Sequence, residues 1–380
     1  MKIAVVSNYY PPNARGGAEI VAARIADELS DRGHSIFVLT RETYKGFPFN
    51  ISNHDRLPFF LKLVWHMVDL CNPFSDQVIR RVIREEKPDV FLTHNLKGIG
   101  LNLSRAIQRQ NVFQIHTLHD LQLSVPSGLL IYGEERSFLN QSFLRRWYER
   151  AVSIAIGKPN VIVSPSKFLI DLYRERGLFR DATVCILPNP APETEIVAES
   201  LFVKDETKKH IRLFFGGQLE THKGIVFLLN ALEALDIPFE LHIAGNGSLR
   251  SVIEQQCTSD KRFVYHGFLS TDEIIKQIAL SDVVIVPSLC YENSPTMMYE
   301  SFAVGVPVIA SRIGGIPELI TEGENGYLFE PGKTDQFVDI LKRAAERSFD
   351  REAIRQRAEK YALKSYVDEL EKMMQKKTRS

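Results

Sequence analysis

The sequence predicts an α/β protein with two doubly wound domains, and three observations support this fold class. Short apolar runs typical of buried parallel strands alternate with amphipathic segments of helical period. The chain has 380 residues, which is more than one domain usually contains. The alternation stops at a proline-rich break near residue 190, and a polar stretch follows. We therefore expect domains over 1–190 and 208–355 and a terminal helical segment over 356–380.

The composition is that of a globular protein with no electrostatic preference for nucleic acid. Lys plus Arg and Asp plus Glu both number 47, so the formal net charge is zero. The four cysteines are scattered, which is typical of reduced cytosolic thiols. The chain starts with a strand pattern rather than an apolar leader, and its most hydrophobic stretch, 59–70, is too short for a membrane span. We expect a cytoplasmic protein that does not bind nucleic acid.

The first domain opens with a strand–helix–strand unit that has Gly16 and Gly17 at the turn into its helix. The strands are expected over 2–6 and 35–40 and the helix over 18–31. Glycine lets a backbone N–H approach a phosphate, but the dinucleotide fingerprint G-x-G-x-x-G is absent, and chain geometry alone also accounts for such a turn. The remaining elements are strands over 90–93, 112–116, 161–164 and 183–187 and helices over 75–86, 101–109, 134–156 and 166–176.

Two segments of the first domain have two interpretations each. The aromatic and apolar stretch 47–73 either covers the core as a flap or forms a surface that meets a lipid-linked molecule or the membrane interface. The predicted helix over 134–156 contains four arginines, which either bind an anionic ligand or lie on a solvated face that glutamates balance. Both alternatives stay open for each segment.

A pair of histidines, His116 and His119, lies at the end of the predicted strand over 112–116. A metal site needs a third ligand of suitable geometry, and the spacing does not offer one. His119 and Asp120 follow the carboxyl end of the strand, which is where ligands bind in open α/β sheets. We therefore regard His119 as a candidate functional residue, with a structural role as the alternative.

The second domain begins with a strand over 211–215 and a loop that contains Gln218 and Lys223. Lys223 precedes a helix over 224–235, where the helix dipole disfavours a cation, so its position suggests an anionic partner such as phosphate. An ordinary surface lysine is the alternative. The further elements are strands over 239–244, 264–266, 283–286 and 306–310 and helices over 249–256, 271–281, 295–304, 335–347 and 351–374.

The stretch 283–318 places two carboxylates near the start of a helix. Ser294 is predicted to cap this helix, and Pro295 to open it. Glu292 lies in the preceding loop, and Glu300 lies about two turns into the helix. A helix N-terminus at the carboxyl end of a strand offers N–H groups and partial positive charge to a phosphate. The stretch indicates a site for a phosphorylated, hydroxyl-rich ligand, with solvated surface carboxylates as the alternative.

This stretch resembles the donor-site signature of family 4 glycosyltransferases. The matching residues are Glu292 and Glu300 with seven residues between them, Gly305-Val306-Pro307-Val308, Gly314-Gly315-Ile316-Pro317-Glu318 and, near the N-terminus, Gly16-Gly17-Ala18-Glu19. The resemblance extends over nearly the whole chain. It implies the GT-B fold, in which two Rossmann-like domains face a cleft and the last helix crosses back to the first domain. It also implies retaining, metal-independent transfer of a sugar from a nucleotide diphosphate.

The resemblance assigns roles to individual residues. Lys223 is expected on the donor diphosphate, with Gln218 at a position where the family usually has an arginine. Glu300 is expected to accept hydrogen bonds from the ribose hydroxyls. Catalytic roles fall on Glu292, which orients the sugar, and on His119, which contacts it. The other implied donor-binding residues are Gly16, Gly17, Gly245, Phe268, Ser294, Pro295, Thr296 and Met297.

The implied donor is a UDP- or GDP-linked sugar, used without a metal or other cofactor. The expected acceptor is a glycan or a lipid-linked intermediate of cell-envelope or exopolysaccharide synthesis, and a peripheral contact with the inner membrane surface is a further expectation. Arg15 is expected to compensate for the uncharged Gln218. Two other classes fit the sequence, namely a GT-B nucleotide-sugar epimerase and a non-enzymatic sugar-binding protein of two lobes.

Overall fold

The computed structural model describes residues 1–13, 16–41, 68–135, 137, 142–192 and 210–376. The chain divides into two compact units, each with a six-stranded sheet in which all neighbouring strands are parallel. The first unit comprises Met1–Leu129, Arg136–Asn189 and Leu363–Ser380, and the second comprises Leu130–Glu135 and Pro190–Ala362. Arg15, most of the stretch 47–73 and the linker 193–209 lie outside the described residues.

The first unit is a doubly wound sheet with strand order β2-β1-β3-β4-β5-β6. Its strands are β1 (Lys2–Val6), β2 (Ser35–Leu39), β3 (Val90–Thr93), β4 (Phe113–Thr117), β5 (Val161–Ser164) and β6 (Val184–Ile186). Its helices are α1 (Gly17–Asp31), α2 (Ser75–Glu86), α3 (Leu103–Gln108), α4 (Phe143–Ile156), α5 (Lys167–Glu175) and, from the end of the chain, α12 (Leu363–Lys376). The central strands β3 and β5 are buried at every residue, as continuous apolar runs predict.

The second unit has strand order β12-β11-β10-β7-β8-β9. Its strands are β7 (Ile211–Gly216), β8 (Phe239–Ala244), β9 (Phe263–Tyr265), β10 (Val283–Val286), β11 (Val308–Ser311) and β12 (Gly326–Phe329). Its helices are α6 (Ile225–Glu233), α7 (Arg250–Ser259), α8 (Thr271–Ala279), α9 (Thr296–Ala303), α10 (Thr334–Glu346) and α11 (Arg351–Ala358). Separate apolar cores lie on the two faces of this sheet, because helices cover both.

The C-terminal segment is two helices rather than the one predicted over 351–374. A 3-10 turn, Glu359–Tyr361, separates α11 from α12, and Ala362 has the extended backbone angles φ −57° and ψ 141°. The chain leaves the second unit at this residue, and α12 packs beside α1 in the first unit. Arg32 donates to Asp368 at 2.5 Å and to Glu371 at 2.8 Å across this contact. The return of the last helix to the first domain is thereby confirmed.

The helix predicted over 134–156 starts nine residues later than expected. Ser142 caps α4, and its hydroxyl accepts a hydrogen bond from the Arg145 N–H. Residues 130–135 belong to the second unit instead, where Ile131 forms a β-bridge with Cys290. The glutamates at 134 and 135 therefore do not balance arginines on one helix face, as the solvated interpretation required. Among the described residues, no helix combines the length and the apolar character that crossing a bilayer requires.

Candidate active site

The sheet of the second unit has its topological switch point between β7 and β10. From β7 the chain winds outward through β8 and β9, then returns to add β10, β11 and β12 on the other side. The loops after β7 and β10 therefore diverge at the carboxyl ends of two adjacent strands, which leaves a crevice where open α/β sheets bind ligands. Gln218 and Lys223 lie in the first loop, and Glu292 lies in the second.

Lys223 and Glu292 form an ion pair at this switch point. The Lys223 Nζ lies 2.5 Å from Glu292 Oε1, and the Ser288 hydroxyl donates to the same oxygen at 3.1 Å. Burial alone would lower the pKa of the Lys223 ammonium, but the adjacent Glu292 carboxylate outweighs burial and raises it. The anionic partner that the sequence suggested for Lys223 is therefore a carboxylate of its own chain in this structure. The side chains remain 28% and 15% exposed, so a ligand can reach both.

Cys290, on the same loop, is not a nucleophile at neutral pH. Burial and then the charge of Glu292 raise the pKa of its thiol to about 12. Only the thiolate is reactive, and at this pKa almost none is present.

Glycines at two sharp turns allow the ion pair to form. Gly224, with φ +77°, follows Lys223, and a Cβ there would lie 1.8 Å from the Pro287 carbonyl oxygen. Gly314, with φ +62°, packs on the other side of the loop, where a Cβ would lie 2.0 Å from the Glu292 carbonyl oxygen. The N–H of Gly315 donates to that same oxygen at 2.8 Å. The Gly-Gly of the 314–318 motif therefore fixes the backbone of Glu292.

The N-terminus of α9 presents backbone N–H groups beside this pair. The N-cap residue is Pro295, so the prediction that Pro295 is the first helical residue after a Ser294 cap is wrong by one position. The Ser294 hydroxyl lies 2.5 Å from the Tyr299 hydroxyl. The N–H groups of Thr296 and Met297 have no acceptor among the described residues, as is usual in a first helical turn. These groups suit an oxyanion.

The other predicted donor-site residues of this unit either pack against neighbouring residues or are exposed. Met297 packs against the end of β7, since a Cβ at Gly216 would lie 2.4 Å from its Cε, and Glu300 is buried one turn further along α9. Gly245, with φ +138°, packs on the carbonyl of Gly217. Gln218 is exposed, and Phe268 is 82% exposed in the turn after β9.

His119 lies in the first unit, and the structure gives it a partner that the sequence did not indicate. Its Nε2 lies 3.0 Å from His94 Nδ1, with the ring centroids 5.2 Å apart. Burial lowers the pKa of His119 to about 4, and burial together with the charge of His119 lowers the pKa of His94 well below its usual value. Both rings are therefore neutral at pH 7, so one donates and the other accepts. The signal for His94 was its position immediately after β3.

The two histidines line a pocket at the carboxyl ends of β3 and β4. Asp69 and Asp120 also line it; burial raises the pKa of Asp69 to about 7 and that of Asp120 to about 6, although backbone N–H groups oppose both shifts. The further lining side chains include Asn95, Lys97, Gln122 and Tyr148. Within the described parts of the chain, no group of three His, Cys, Asp or Glu is placed to hold a metal ion.

The turn into α1 belongs to the same unit. Gly16 is the N-cap of α1, and a Cβ there would lie 3.3 Å from the Glu19 carboxylate, which is buried. Gly17 is the first helical residue. The structure therefore places the predicted site residues in two sets, one in each unit, and brings Lys223 and Glu292 into direct contact.

Two doubly wound units with a cation and a helix N-terminus at a switch point are typical of GT-B enzymes that act on nucleotide diphosphates. Comparison with protein families extends this assignment. Residues 15–194 match the model described as Glycosyltransferase Family 4, and residues 197–361 match the model described as Glycosyl transferases group 1. The chain belongs to the family 4 glycosyltransferases.

Similar proteins agree with this assignment. N-acetyl-alpha-D-glucosaminyl L-malate synthase of Bacillus anthracis is 25% identical over 369 residues, which cover 90% of this chain and 88% of that protein. Lipopolysaccharide 1,2-N-acetylglucosaminetransferase of Salmonella typhimurium is 27% identical over 293 residues, which cover 72% and 68%. HepE of Anabaena, solved in complex with UDP, superposes with a TM-score of 0.71 at 16% identity and covers 99% of this chain and 100% of its own. The predicted GT-B fold and the assignment as a glycosyltransferase are confirmed.

Proposed function

We propose that the protein transfers a sugar from a UDP- or GDP-linked donor to a hydroxyl of a glycan or lipid-linked acceptor, with retention of configuration and without a metal. The observation that supports this most is the Lys223–Glu292 pair at the switch point, beside the open N–H groups of α9. This arrangement supplies a cation, a carboxylate and oriented dipoles in one crevice. Those are the groups that a sugar diphosphate requires when no metal neutralises it.

Lys223 and α9 would stabilise the leaving diphosphate. Lys223 turns from Glu292 toward the phosphates, or bridges the two, while the N–H groups of Thr296 and Met297 donate to a phosphate oxygen or a sugar hydroxyl. Negative charge on the diphosphate increases as the glycosidic bond breaks, so these interactions strengthen in the transition state. Gln218, exposed on the same loop as Lys223, adds an uncharged hydrogen bond at most.

The remaining donor contacts follow the same proposal. Glu300 accepts from the ribose hydroxyls, and the turns at Gly245 and Phe268 meet the nucleobase. The exposed ring of Phe268 offers it a stacking surface. Glu292 orients the sugar near its anomeric carbon. Lys223, Ser288 and Cys290 contact its carboxylate, and the Gly314 turn fixes its backbone.

In the first unit, His119 would donate a hydrogen bond to a sugar hydroxyl. Its lowered pKa makes it a neutral donor, and the contact with His94 orients its ring. The N–H groups at Gly16 and Gly17 would donate to a phosphate oxygen. The polar side chains that line the pocket around His119 are suited to hydroxyl groups.

Retention would follow a front-face displacement. The bond between the anomeric carbon and the diphosphate oxygen breaks as the acceptor oxygen bonds to the same face of that carbon. The acceptor proton passes to a phosphate oxygen, so no protein nucleophile is needed. Neither Cys290, with its raised pKa, nor Glu292 needs to attack.

The class of acceptor is inferred from the relatives. HepE has been solved with UDP and with UDP-glucose, and the Salmonella typhimurium relative is a lipopolysaccharide transferase by name. We therefore propose a role in cell-envelope or exopolysaccharide synthesis. With this role we propose a position at the cytoplasmic side of the membrane, with peripheral membrane contact.

Glu292→Gln tests the proposal. We expect turnover to fall roughly a hundredfold, about 3 kcal/mol in transition-state energy, while the Kd for nucleotide changes little. The exposed Glu233→Gln on α6 is the control and should keep full turnover. Wild-type turnover in Glu292→Gln would remove this residue from the mechanism.

Two further arms separate the alternatives. Donor consumption measured with and without acceptor distinguishes the transferase from an epimerase, which needs no acceptor, and from a binding protein, which consumes no donor. A chelator should leave turnover unchanged. Loss of activity that added divalent cation restores would contradict the metal-independent mechanism.

A further inference from the structure

Helix α4 of the first unit exposes four large apolar side chains, which is unusual for a surface helix. Phe143 is 71% exposed, Leu144 69%, Trp147 60% and Ile154 56%. A surface helix normally directs its polar residues outward and its apolar residues to the core. A contiguous exposed apolar patch of this kind marks a contact with a partner or a membrane.

The exposed residues form one continuous face. At 100° per residue, Phe143, Leu144, Trp147 and Ile154 lie together with Arg146 and Arg150 within about 160° of the helix circumference. The two exposed arginines border the apolar stripe along one side. Glu149, the sole carboxylate of α4, is buried on the opposite side. The outward face therefore combines aromatic and aliphatic groups with positive charge only.

The opposite face holds α4 firmly in the first unit. Val152, Ala155 and Ile156 are buried. The Tyr148 hydroxyl donates to the Gln122 carbonyl at 2.9 Å, and the Ser104 hydroxyl donates to the Ile156 carbonyl at 2.7 Å. The outward face is thus a fixed feature of the fold, because rotation of the helix to bury it would break these contacts.

We propose that this face of α4 docks the protein on an anionic lipid bilayer. Apolar side chains bordered by cations on one helix face are suited to the boundary between acyl chains and anionic headgroups, where Trp and Phe also prefer to lie. A protein partner would need an apolar groove rimmed with acid, whereas a bilayer offers both properties along the whole 14-residue helix. The proposal deepens the proposed function, on which its biological purpose rests, by naming the surface of the membrane contact.

The experiment measures binding of the full chain to phosphatidylcholine vesicles with and without about one third phosphatidylglycerol. Co-sedimentation gives the partition coefficient. The sequence has two tryptophans, Trp65 and Trp147, so Trp65→Phe leaves Trp147 as the single fluorescent reporter. We expect Trp147 emission to shift to the blue on anionic vesicles and brominated acyl chains to quench it.

Matched variants separate charge from apolar contact. Arg146→Gln with Arg150→Gln should weaken binding to anionic vesicles about twenty-five-fold, since each arginine near such a surface contributes about fivefold. Arg80→Gln with Arg84→Gln, exposed on α2, is the charge control and should bind as the wild type does.

The apolar side of the face has its own pair of variants. Phe143→Ser with Ile154→Ser should weaken binding on the order of tenfold or more. Its control is Val252→Ser with Leu280→Ser, at side chains that are 47% and 37% exposed in the second unit. All four double variants should keep the wild-type melting temperature, because none of the substituted side chains is buried.

Binding that is equal for both vesicle types, or equal for all variants, would overturn the proposal. So would a concentration-dependent dimer in sedimentation velocity that Phe143→Ser with Ile154→Ser dissociates while vesicles bind nothing, since a second copy would then cover the face. Nucleotide binding by calorimetry is recorded in parallel. Lipid binding without nucleotide binding would contradict the proposed function and support the docking surface. Nucleotide binding without lipid binding would contradict the docking surface and support the proposed function.

Discussion

The substitution Gly314→Ala tests whether the glycine turn positions Glu292, the proposed catalytic carboxylate. Gly314 has φ +62° and lies against the backbone of Glu292. Alanine adds one methyl group, and no ligand contact is proposed for Gly314 itself. Any loss of activity therefore reports on the position of Glu292.

The size of the effect follows from the distances. The new Cβ would lie 2.0 Å from the Glu292 carbonyl oxygen, and Cβ atoms essentially never approach a neighbour within 3.0 Å, so the two backbones must separate by at least about 1 Å. The hydrogen bond from Gly315 N–H to that oxygen weakens or breaks, with a loss of about 1 kcal/mol. A displacement of about 1 Å at a reacting group can lower turnover by about a hundredfold, and we expect a loss of that order.

The chain offers a control that separates collision from backbone strain. Gly332 has φ +76° with no neighbouring atom within 4 Å, so Gly332→Ala has the same left-handed backbone penalty of roughly 1–2 kcal/mol and no collision. Thermal unfolding and steady-state kinetics are measured on both variants. Gly332→Ala should melt slightly earlier and keep its turnover. The reasoning is refuted if Gly314→Ala turns over within threefold of Gly332→Ala.

Two further predictions concern other parts of the molecule. Glu300→Gln should raise the KM for the donor at least tenfold with kcat within threefold, because the proposed contacts with ribose would be the same in the ground and transition states. An effect on kcat alone would contradict the proposed ribose contact of Glu300. Burial and then the charge of His119 lower the pKa of His116 from 6.5 to about 3, so between these pH values the unfolded chain binds a proton that the folded chain does not, and stability is lost as the pH falls through this window. His116→Gln should flatten the pH dependence of the melting temperature there, and an unchanged slope would contradict the assignment.

Much of the fold could be predicted because several central strands are short apolar runs that can be identified without knowledge of their neighbours, whereas β12 was not predicted. Short apolar runs allowed β10 and β11 to be predicted, and both strands are buried at every residue. Gly305 and Gly314 have positive φ angles, as turns require. The start of α4 was missed because Glu134 and Glu135 favour helix locally, whereas strand-like contacts with the second unit hold that segment. The local sequence at Ala362 does not predict a helix break. The bend there is set instead by the tertiary packing of α12 on α1.

The candidate site residues could be named from the sequence, but their pairings could not. Lys223 and Glu292 are 69 residues apart, and only the order of β7 and β10 in the sheet brings them together. His94 was missed for the same reason, because its contact with His119 depends on β3 and β4 being neighbours. Spacing along the chain identifies residues at strand ends, whereas the strand order decides which ends meet.

Calorimetric titration with UDP and GDP tests the central claim most directly, because it asks whether the switch point of the second unit binds a nucleoside diphosphate. We predict that one of the two binds, that Lys223→Met weakens it at least about tenfold, or about 1.4 kcal/mol, and that the exposed Lys261→Met leaves it unchanged. No heat with either nucleotide, or wild-type affinity in Lys223→Met, would contradict the account.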